Sequence, residues 1–322
     1  MIEALPRTSV SEVARRLVSM RQESGVAALG RVLTLVVAAT GPLDEAMVQA
    51  ANDASSEHPM RVIVLLTRPE GEARLDAEIR VGADAGASEV VVLRAHGDAC
   101  SGVESLVSGL LLPDAPLVVW WPERAPERPG ADPLGRIAQR RITDSTAVTD
   151  PAEQCRLFET YSPGDTDLAW TRLTRWREYL AAILDQPPFD PVTAVEVVGA
   201  EGSMSTQLLA AWLQLSLGVP TACRTPKDPR PAEGVRSVAL SRASGDAVLE
   251  RVSASHALLR QPGHPAHEIV LRRRTLSECL TEELRRLDED VMYRRVLERL
   301  HRIGAAQENS GNRTSEWSTD HD

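Results

Sequence analysis

The chain has 322 residues, of which 43% are hydrophobic and 25% are charged; these values are typical of soluble globular proteins, and the length favours two domains. Its formal net charge of −10 argues against a nucleic-acid partner, because phosphate contacts need a basic surface. No stretch approaches the ~18 uninterrupted apolar residues of a membrane span, and the N-terminus lacks the apolar core of a secretory signal.

The N-terminal half alternates helical and strand-like patterns. Thr8 or Ser9 can cap a first helix that ends at Gly25, with Glu12 placed to complete a capping box. Dense apolar and β-branched runs then alternate with helical spacing, which is typical of β-α-β units and a parallel sheet. We predict strands at 31–39, 61–66, 89–93 and 117–121, and helices at 43–57 and 101–112.

Residues 74–81 follow a different pattern, because apolar and charged side chains alternate along them. This alternation predicts a half-exposed antiparallel strand at an edge of the sheet. The predicted fold class is therefore α/β. It has a mostly parallel twisted sheet with helices on both faces, and a smaller C-terminal α+β domain.

The stretch Pro116–Asp144 ends a strand with Trp120 and Trp121, and a charged, proline-rich loop follows. Successive side chains of a strand point to opposite faces, so both tryptophans are buried only if both faces are covered. A large aromatic residue at the carboxyl end of a strand, beside a long loop, lies where α/β proteins usually place their function.

Phosphate-binding loops of the dinucleotide type are not indicated. The first β-α turn reads AATGPLDE without a GxGxxG pattern, and the glycines within 82–86 precede a strand rather than a helix. We therefore interpret the N-terminal domain as Rossmann-like without a phosphate loop.

The C-terminal half mixes helices with short strands. Asp165 or Thr166 is expected to cap an amphipathic helix. Alternating runs separated by turn residues predict an antiparallel meander. The predicted elements are a helix at 167–184, a strand at 194–198, a helix at 203–217, a meander between 237 and 272, and a helix at 276–303.

Three regions follow from these elements. We predict an N-terminal α/β domain at 1–160 and a C-terminal α+β domain at 161–304. The polar tail at 305–322 is expected to be disordered.

A turn with the sequence GAEGS precedes the helix at 203–217. Glycines and hydroxyls between a strand and a helix N-terminus suit an anion, but no lysine follows, so the turn is not a P-loop. The alternative is a tight turn with a Ser/Thr cap. The anion interpretation would make the chain a nucleotide- or sugar-phosphate-sensing regulatory module. Its donors would be Gly199, Gly202, Ser203, Ser205 and Thr206.

Catalytic and metal-binding patterns are not found in the sequence. His264 and His267 lie in a turn with too few neighbouring ligands for a metal, and no GxSxG, HExxH or kinase signature occurs. Four widely spaced cysteines without a CxxC pair predict a reduced cytoplasmic protein. They are Cys100, Cys155, Cys223 and Cys279. We expect no cofactor, metal or membrane partner.

Longer stretches of the chain carry a family resemblance. The chain resembles the OpcA family, the glucose-6-phosphate dehydrogenase assembly proteins of actinobacteria and cyanobacteria. The similarity covers nearly the whole chain apart from the tail, and it is looser in the C-terminal part. The matching stretches are ALGRVLTLVV (28–37), ANDASSEHPMRVIVLL (51–66), RLDAEIRVGADAGASEVVVLR (74–94), LLLPDAPLVVWWP (110–122), DPLGRIAQRRITD (132–144) and YSPGDTDLAWTRLTRWR (161–177).

The resemblance implies a protein that is not an enzyme. Family members associate with glucose-6-phosphate dehydrogenase and promote its active oligomer or raise its activity, which supports the oxidative pentose phosphate pathway and NADPH supply. Thiol chemistry is tied to this regulation in cyanobacterial relatives, but the cysteines of this chain match no such pair.

Two interpretations of the arginine- and tryptophan-rich stretches remain open. They carry the aromatic and arginine anchors that partner interfaces use, within a polar rim. Alternatively, the segments 132–144 and 161–177 pack the two predicted domains together through Arg–Asp pairs. The candidate partner-binding residues are Trp120, Trp121, Arg140, Arg141, Asp144, Trp170, Arg172 and Arg177.

Overall fold

The structure is a computed structural model that describes residues 1–24, 32–81, 89–187, 189–226 and 234–302. The chain divides into two compact units. Unit 1 comprises Met1–Thr171 and Arg274–Glu289, and unit 2 comprises Arg172–Arg273 with the segment that begins at Asp290. The sequence predicts a domain boundary after residue 160, whereas unit 1 continues to Thr171. The sequence also does not predict that Arg274–Glu289 belongs to unit 1.

Unit 1 is organised around one β-sheet. Among the described residues its strand order is β1-β4-β5-β3-β2-β6-β7-β8. The six strands from β5 to β8 in this order run parallel, whereas β4 is antiparallel to both of its neighbours, β5 and β1. The mostly parallel α/β sheet is thereby confirmed. In chain order the strands are β1 (Ile2–Leu5), β2 (Leu33–Thr40), β3 (Met60–Arg68), β4 (Arg74–Arg80), β5 (Glu89–His96), β6 (Leu117–Trp121), β7 (Arg140–Thr143) and β8 (Asp165–Asp167).

Helices follow most strands in the chain. The α-helices with both ends in the described residues are α1 (Val10–Ser24), α2 (Glu45–Glu57), α3 (Val103–Ser108), α4 (Pro133–Ile137), α5 (Pro151–Glu159), α6 (Leu168–Thr171), α7 (Thr174–Leu184), α8 (Met204–Leu217) and α9 (Leu276–Leu284). The cap of α1 agrees with the sequence, since Ser9 Oγ accepts a hydrogen bond from the Glu12 amide at 3.3 Å. Gly25, the predicted end of this helix, lies outside the described residues.

Both faces of the unit 1 sheet are covered, as the sequence predicted. On one face, α2 and α9 pack with strand residues such as Leu35 and Trp120. On the other face, α1, α3 and α4 pack with neighbours such as Val36 and Trp121. The continuous apolar runs of the central strands therefore fill two cores, one on each side.

Several predicted elements of unit 1 are wrong. The strand at 74–81 is antiparallel but not at the edge, because β1 pairs with its outer side. The helix predicted at 101–112 is a 3-10 turn over Gly97–Gly102 followed by the short α3. Asp165 and Thr166 cap no helix, because they belong to β8, which pairs with β7. The helix at 167–184 accordingly begins one residue later and is divided into α6 and α7.

Unit 2 contains the second sheet, with the order β10-β9-β11-β12-β13-β14 among the described residues. β9 and β10 are parallel and are connected through α8, whereas β11 to β14 form an antiparallel meander. The predicted α+β fold class of the C-terminal part is confirmed. The strands are β9 (Ala194–Gly199), β10 (Thr221–Arg224), β11 (Val235–Ser241), β12 (Ala247–Arg251), β13 (His256–Arg260) and β14 (His267–Val270).

The helix predicted at 276–303 is interrupted. α9 starts with a capping box between Thr275 and Glu278 and ends at Leu284. A second helical stretch covers 291–302, and the Asp290 carboxylate accepts a hydrogen bond from the Tyr293 amide at 2.9 Å near its start. The predicted tail at 305–322 and the glycine turn at 82–86 lie outside the described residues. Across the described ranges, no helix has both the length and the hydrophobicity that a bilayer crossing requires.

Candidate functional site

The two adjacent tryptophans at the end of β6 are parts of the two cores. Trp120 is fully buried against the α2 and α9 face, and Trp121 is 5% exposed on the opposite face. Successive residues of a strand point to opposite faces, so covering both faces of the sheet buries both rings. Neither ring is presented on the surface as a contact for a partner.

Arg141 is the centre of a buried polar network at β7 and β8. Its guanidinium forms an ion pair with Asp165. It also donates to the carbonyl oxygens of Gly135 at 3.2 Å, Ala138 at 3.1 Å and Pro163. These carbonyls belong to the turns around the strands, so one side chain connects the segment 132–144 to the segment 161–177.

Glycines provide the space that this guanidinium occupies. A Cβ atom on Gly135 would lie 1.8 Å from the Pro129 carbonyl oxygen and 3.1 Å from Arg141 Cδ. Gly164 has a φ of +95°, and a Cβ atom there would lie 2.8 Å from the Gln139 carbonyl oxygen. Larger residues would displace the backbone that surrounds Arg141.

Asp167 is a buried carboxylate with four hydrogen-bond donors nearby. It accepts from Thr143 Oγ1 at 2.6 Å, from the Ser145 amide at 2.9 Å and hydroxyl at 2.8 Å, and from the Ala169 amide at 2.8 Å. Burial, and secondly the neighbouring Asp144 carboxylate, raise the pKa of Asp167 to about 6. The donors only partly offset this loss of hydration.

Arg140 connects β7 to α9 within unit 1. Its guanidinium donates to the Glu283 carboxylate at 2.7 Å and to the Asp288 carbonyl oxygen at 2.7 Å. Glu283 also accepts a hydrogen bond from the Thr171 hydroxyl. Because both charged side chains are buried, this ion pair belongs to the core of unit 1.

The structure buries most of the predicted contact residues and places the two tryptophans in different cores. Asp144 and Trp170 are buried as well, whereas Arg172 and Arg177 keep partial exposure. The expected Arg–Asp pairing is present as Arg141–Asp165, and both residues lie in unit 1. The sequence did not predict β7 (RRIT) and β8 (DTD) as strands, because apolar periodicity does not mark strands made of charged and polar residues.

The predicted anion-binding residues do lie together at the start of α8. Ser203 is the N-cap, and its hydroxyl accepts from the Thr206 amide at 3.4 Å. Gly202 adopts a φ of +68°, as the turn requires. Ser205 and Thr206 are buried, so their hydroxyls do not line an open surface. This arrangement has the geometry of a capped helix start.

The thiols and the histidines form no shared centre in the described part of the chain. Cys155 and Cys223 are exposed, Cys100 is half-buried and Cys279 is buried, and none of these four described cysteines is joined in a disulfide. Partial burial of the sulfur atoms raises the pKa of the Cys155 and Cys223 thiols, even though each residue as a whole is exposed, and this disfavours their reactive thiolate forms. Within the described ranges, no three His, Cys, Asp or Glu side chains group as metal ligands would.

A cavity of about 370 Å³ lies at the carboxyl edge of the unit 1 sheet. Residues at the ends of β2, β3 and β6 line it together with the loops after β5 and β6. Trp121 is part of its wall, so the tryptophan pair does border the region that the sequence indicated. The other lining residues are scattered along the chain, and no local motif marks them.

Two family models match the chain in adjacent blocks. Residues 51–160 match the model described as the glucose-6-phosphate dehydrogenase subunit N-terminal domain. Residues 163–297 match the model described as the C-terminal domain of that subunit. Both models carry the OpcA name, and together they cover more than half of the chain. The chain belongs to the OpcA family.

Two curated relatives also carry the OpcA name. The OxPP cycle protein OpcA of Synechococcus elongatus is 30% identical over 149 residues, which is 42% of this chain and 34% of that protein. The corresponding protein of Synechocystis sp. is 25% identical over 149 residues, which is 42% of this chain and 31% of that protein. The match spans about a third of the length of these OpcA proteins.

This OpcA family member aligns with solved structures only at low TM-scores. Glucose-6-phosphate 1-dehydrogenase from Mycobacterium avium aligns with a TM-score of 0.44 and 12% identity, over 84% of this chain and 90% of that chain. An oxidoreductase from Sinorhizobium meliloti aligns with a TM-score of 0.42 and 11% identity, over 87% of this chain and 90% of that chain. At these TM-scores the likenesses carry no argument about function.

Proposed function

We propose that this OpcA family member is a non-catalytic assembly factor or activator of glucose-6-phosphate dehydrogenase. It binds the dehydrogenase as a hetero-oligomer in the cytoplasm and promotes its active oligomer. NADPH supply through the oxidative pentose phosphate pathway is the expected consequence. The observation that carries the proposal is the match to both domains described as a glucose-6-phosphate dehydrogenase subunit, at 51–160 and 163–297.

The polar residues of unit 1 support a scaffold more than a catalyst. The charged side chains of β7 and β8 are buried, and their hydrogen-bonding groups face each other rather than an open cleft. Buried ion pairs of this kind hold segments in place, and they do so at a desolvation cost. The stretches through which the sequence resembles the family therefore serve its fold.

The contact with the dehydrogenase must then use exposed residues. In this proposal the buried arginines and tryptophans hold the surface in shape, and the partly exposed Arg172 and Arg177 are the members of the predicted set able to touch a partner. Arginine is well suited to this role, because its planar guanidinium can form two parallel hydrogen bonds to one carboxylate.

Co-purification with the dehydrogenase from the same organism tests the association. We expect a complex on size-exclusion chromatography with light scattering, and a higher dehydrogenase activity or a larger oligomer when this chain is present. If the dehydrogenase has the same mass and turnover with and without the chain, the proposal is wrong.

Variants test the contact residues separately from the association. Arg172→Ala and Arg177→Ala are expected to weaken the complex, with the unfolding midpoint maintained. Arg175→Ala, an exposed arginine on α7, is the matched control. Equal binding by all three variants would place the contact elsewhere on the chain.

A further inference from the structure

The 370 Å³ cavity of unit 1 lies where the connections of the sheet reverse direction. From β2 the chain proceeds through β3 to β5 on one side, whereas β6, β7 and β8 follow on the other side of β2. The connections from the carboxyl ends of the neighbouring strands β2 and β6 therefore lead away from each other and leave a crevice between them. Open α/β sheets bind their ligands in this crevice.

A dinucleotide does not suit this crevice. Pyrophosphate would need free amides at the start of α2, but the Asp44 carboxylate accepts from the Ala46 amide there at 2.8 Å. Glu45 adds a second carboxylate in the first turn of this helix. The Asp44 carboxylate at this helix N-terminus repels an anionic ligand, and Glu45 does so less because Arg80 pairs with it at 2.9 Å. The ligand must therefore be held from the other wall.

Arg124 supplies the positive charge on that other wall. Its Nε donates to Glu153 at 3.0 Å, while its side chain is 76% exposed. The two terminal nitrogens have no partner among the described residues. Because Glu153 is bound through Nε, an anionic ligand can bind the terminal nitrogens without breaking this ion pair.

The cavity wall also contains side chains that can accept or donate hydrogen bonds to a ligand. One oxygen of Asp132 accepts from the Leu134 amide at 2.9 Å, and the other has no partner in the described part of the chain. The hydroxyls of Thr40 and Thr67 are likewise unpaired within the described ranges, and both residues line the cavity. A carboxylate that only accepts hydrogen bonds, together with two hydroxyls in the lining of the same cavity, suits a ligand with several hydroxyl groups.

We propose that this cavity binds a small polyhydroxylated anion, the chemistry that sugar phosphates and sugar acids share. Arg124 holds the anionic group, Asp132 and the threonine hydroxyls bind ligand hydroxyls, and the Trp121 ring forms an apolar wall. The volume is within the range of small-molecule sites. This site is independent of the proposed association, because the isolated chain contains all of its residues.

Calorimetric titration of the purified full chain tests the ligand class. The probes are glucose 6-phosphate, 6-phosphogluconate, glucose and inorganic phosphate. We expect glucose 6-phosphate or 6-phosphogluconate to bind at least about tenfold more tightly than glucose and phosphate, because only they engage both the guanidinium and the carboxylate. No binding at millimolar concentration, or equal binding of inorganic phosphate, overturns the proposal.

Substitutions locate the binding. Arg124→Ala and Asp132→Asn are each expected to raise the Kd about tenfold or more, the effect of losing a hydrogen bond to a charged group. The Asp132→Asn variant keeps an amide oxygen that can still cap α4, and Arg136→Ala is the matched control on the exposed side of that helix. Unchanged Kd values in both cavity variants, or a loss of binding in Ser203→Ala instead, would exclude this cavity.

Cys100 gives a second, activity-free measurement on the wild-type chain. Its half-buried thiol lines the cavity, whereas Cys155 is exposed elsewhere in unit 1. A bound ligand is expected to slow alkylation of Cys100 by iodoacetamide severalfold and to leave Cys155 unaffected, as followed by peptide mass spectrometry. If the probe binds but both thiols keep their rates, the ligand lies outside the cavity.

Discussion

At the scale of single residues, Arg141 shows how a charged side chain can act as a core residue. Three backbone carbonyls and the Asp165 carboxylate accept its hydrogen bonds. Burial raises the pKa of Asp165 even though Arg141 acts in the opposite direction. Each of the two charges can therefore be buried only because its partner is present.

Replacing Arg141 with alanine should destabilise the fold. The change leaves Asp165 buried without its cation, and breaking such a pair costs about 3–5 kcal/mol. Chemical denaturation measures the loss in the free energy of unfolding. The exposed Arg136→Ala should change it by less than about 0.5 kcal/mol. An Arg141→Ala variant that kept its stability and lost binding to the dehydrogenase would instead make Arg141 a contact residue.

Asp167 predicts a pH dependence of stability. Its pKa rises from 3.8 to about 6 in the folded chain, so the folded state holds the proton more tightly than the unfolded chain. Its contribution to the free energy of unfolding is therefore fully present below about pH 4 and is lost as the pH rises through about 6.

Asp167→Asn isolates this contribution, because asparagine does not titrate. The stability of the wild type relative to the variant should fall by roughly 1 kcal/mol per pH unit between about pH 4 and 6, and should then level off. Urea denaturation at several pH values measures the difference. A difference that stays constant over this window would contradict the raised pKa.

At the scale of elements, α9 shows where periodicity misleads. The apolar spacing continues from 276 to 303 and predicts one helix, but the structure interrupts it after Leu284. Arg140 binds the Asp288 carbonyl oxygen at 2.7 Å within this interruption. A distant arginine thus takes a backbone group that a continuous helix would use itself.

Leu280 is expected to carry much of the packing of α9. It is fully buried in the core that α9 shares with α2, and truncation of a buried leucine to alanine costs about 2–5 kcal/mol. We expect Leu280→Ala to lower the denaturation midpoint, while the exposed Arg286→Ala leaves it nearly unchanged. Equal effects of the two substitutions would mean that α9 is not packed as described.

At the scale of the whole molecule, unit 1 is discontinuous in sequence. It requires Arg274–Glu289 as well as Met1–Thr171. A fragment that ends at Thr171 would expose the apolar surface of α2 and leave Arg140 without Glu283. We expect this fragment to lose cooperative unfolding, measured by circular dichroism.

A synthetic peptide that covers 272–290 should restore cooperative unfolding when it is added to the fragment. The same peptide with Leu280→Ala and Leu284→Ala is the control, because both leucines belong to the buried core. A fragment that unfolds cooperatively without any peptide would show that unit 1 does not depend on α9.

The sequence by itself determined the central strands, their coverage on both faces, the missing GxGxxG pattern and the family resemblance. These features depend on neighbouring residues, since LVVWW is apolar on both faces whatever its partners are. Only the tertiary structure decided that RRIT and DTD are strands, that the tryptophans are core residues, and that a cavity forms between β2 and β6. Charged residues are buried only with partners supplied from distant parts of the chain, and a crevice exists only where the ends of distant strands meet.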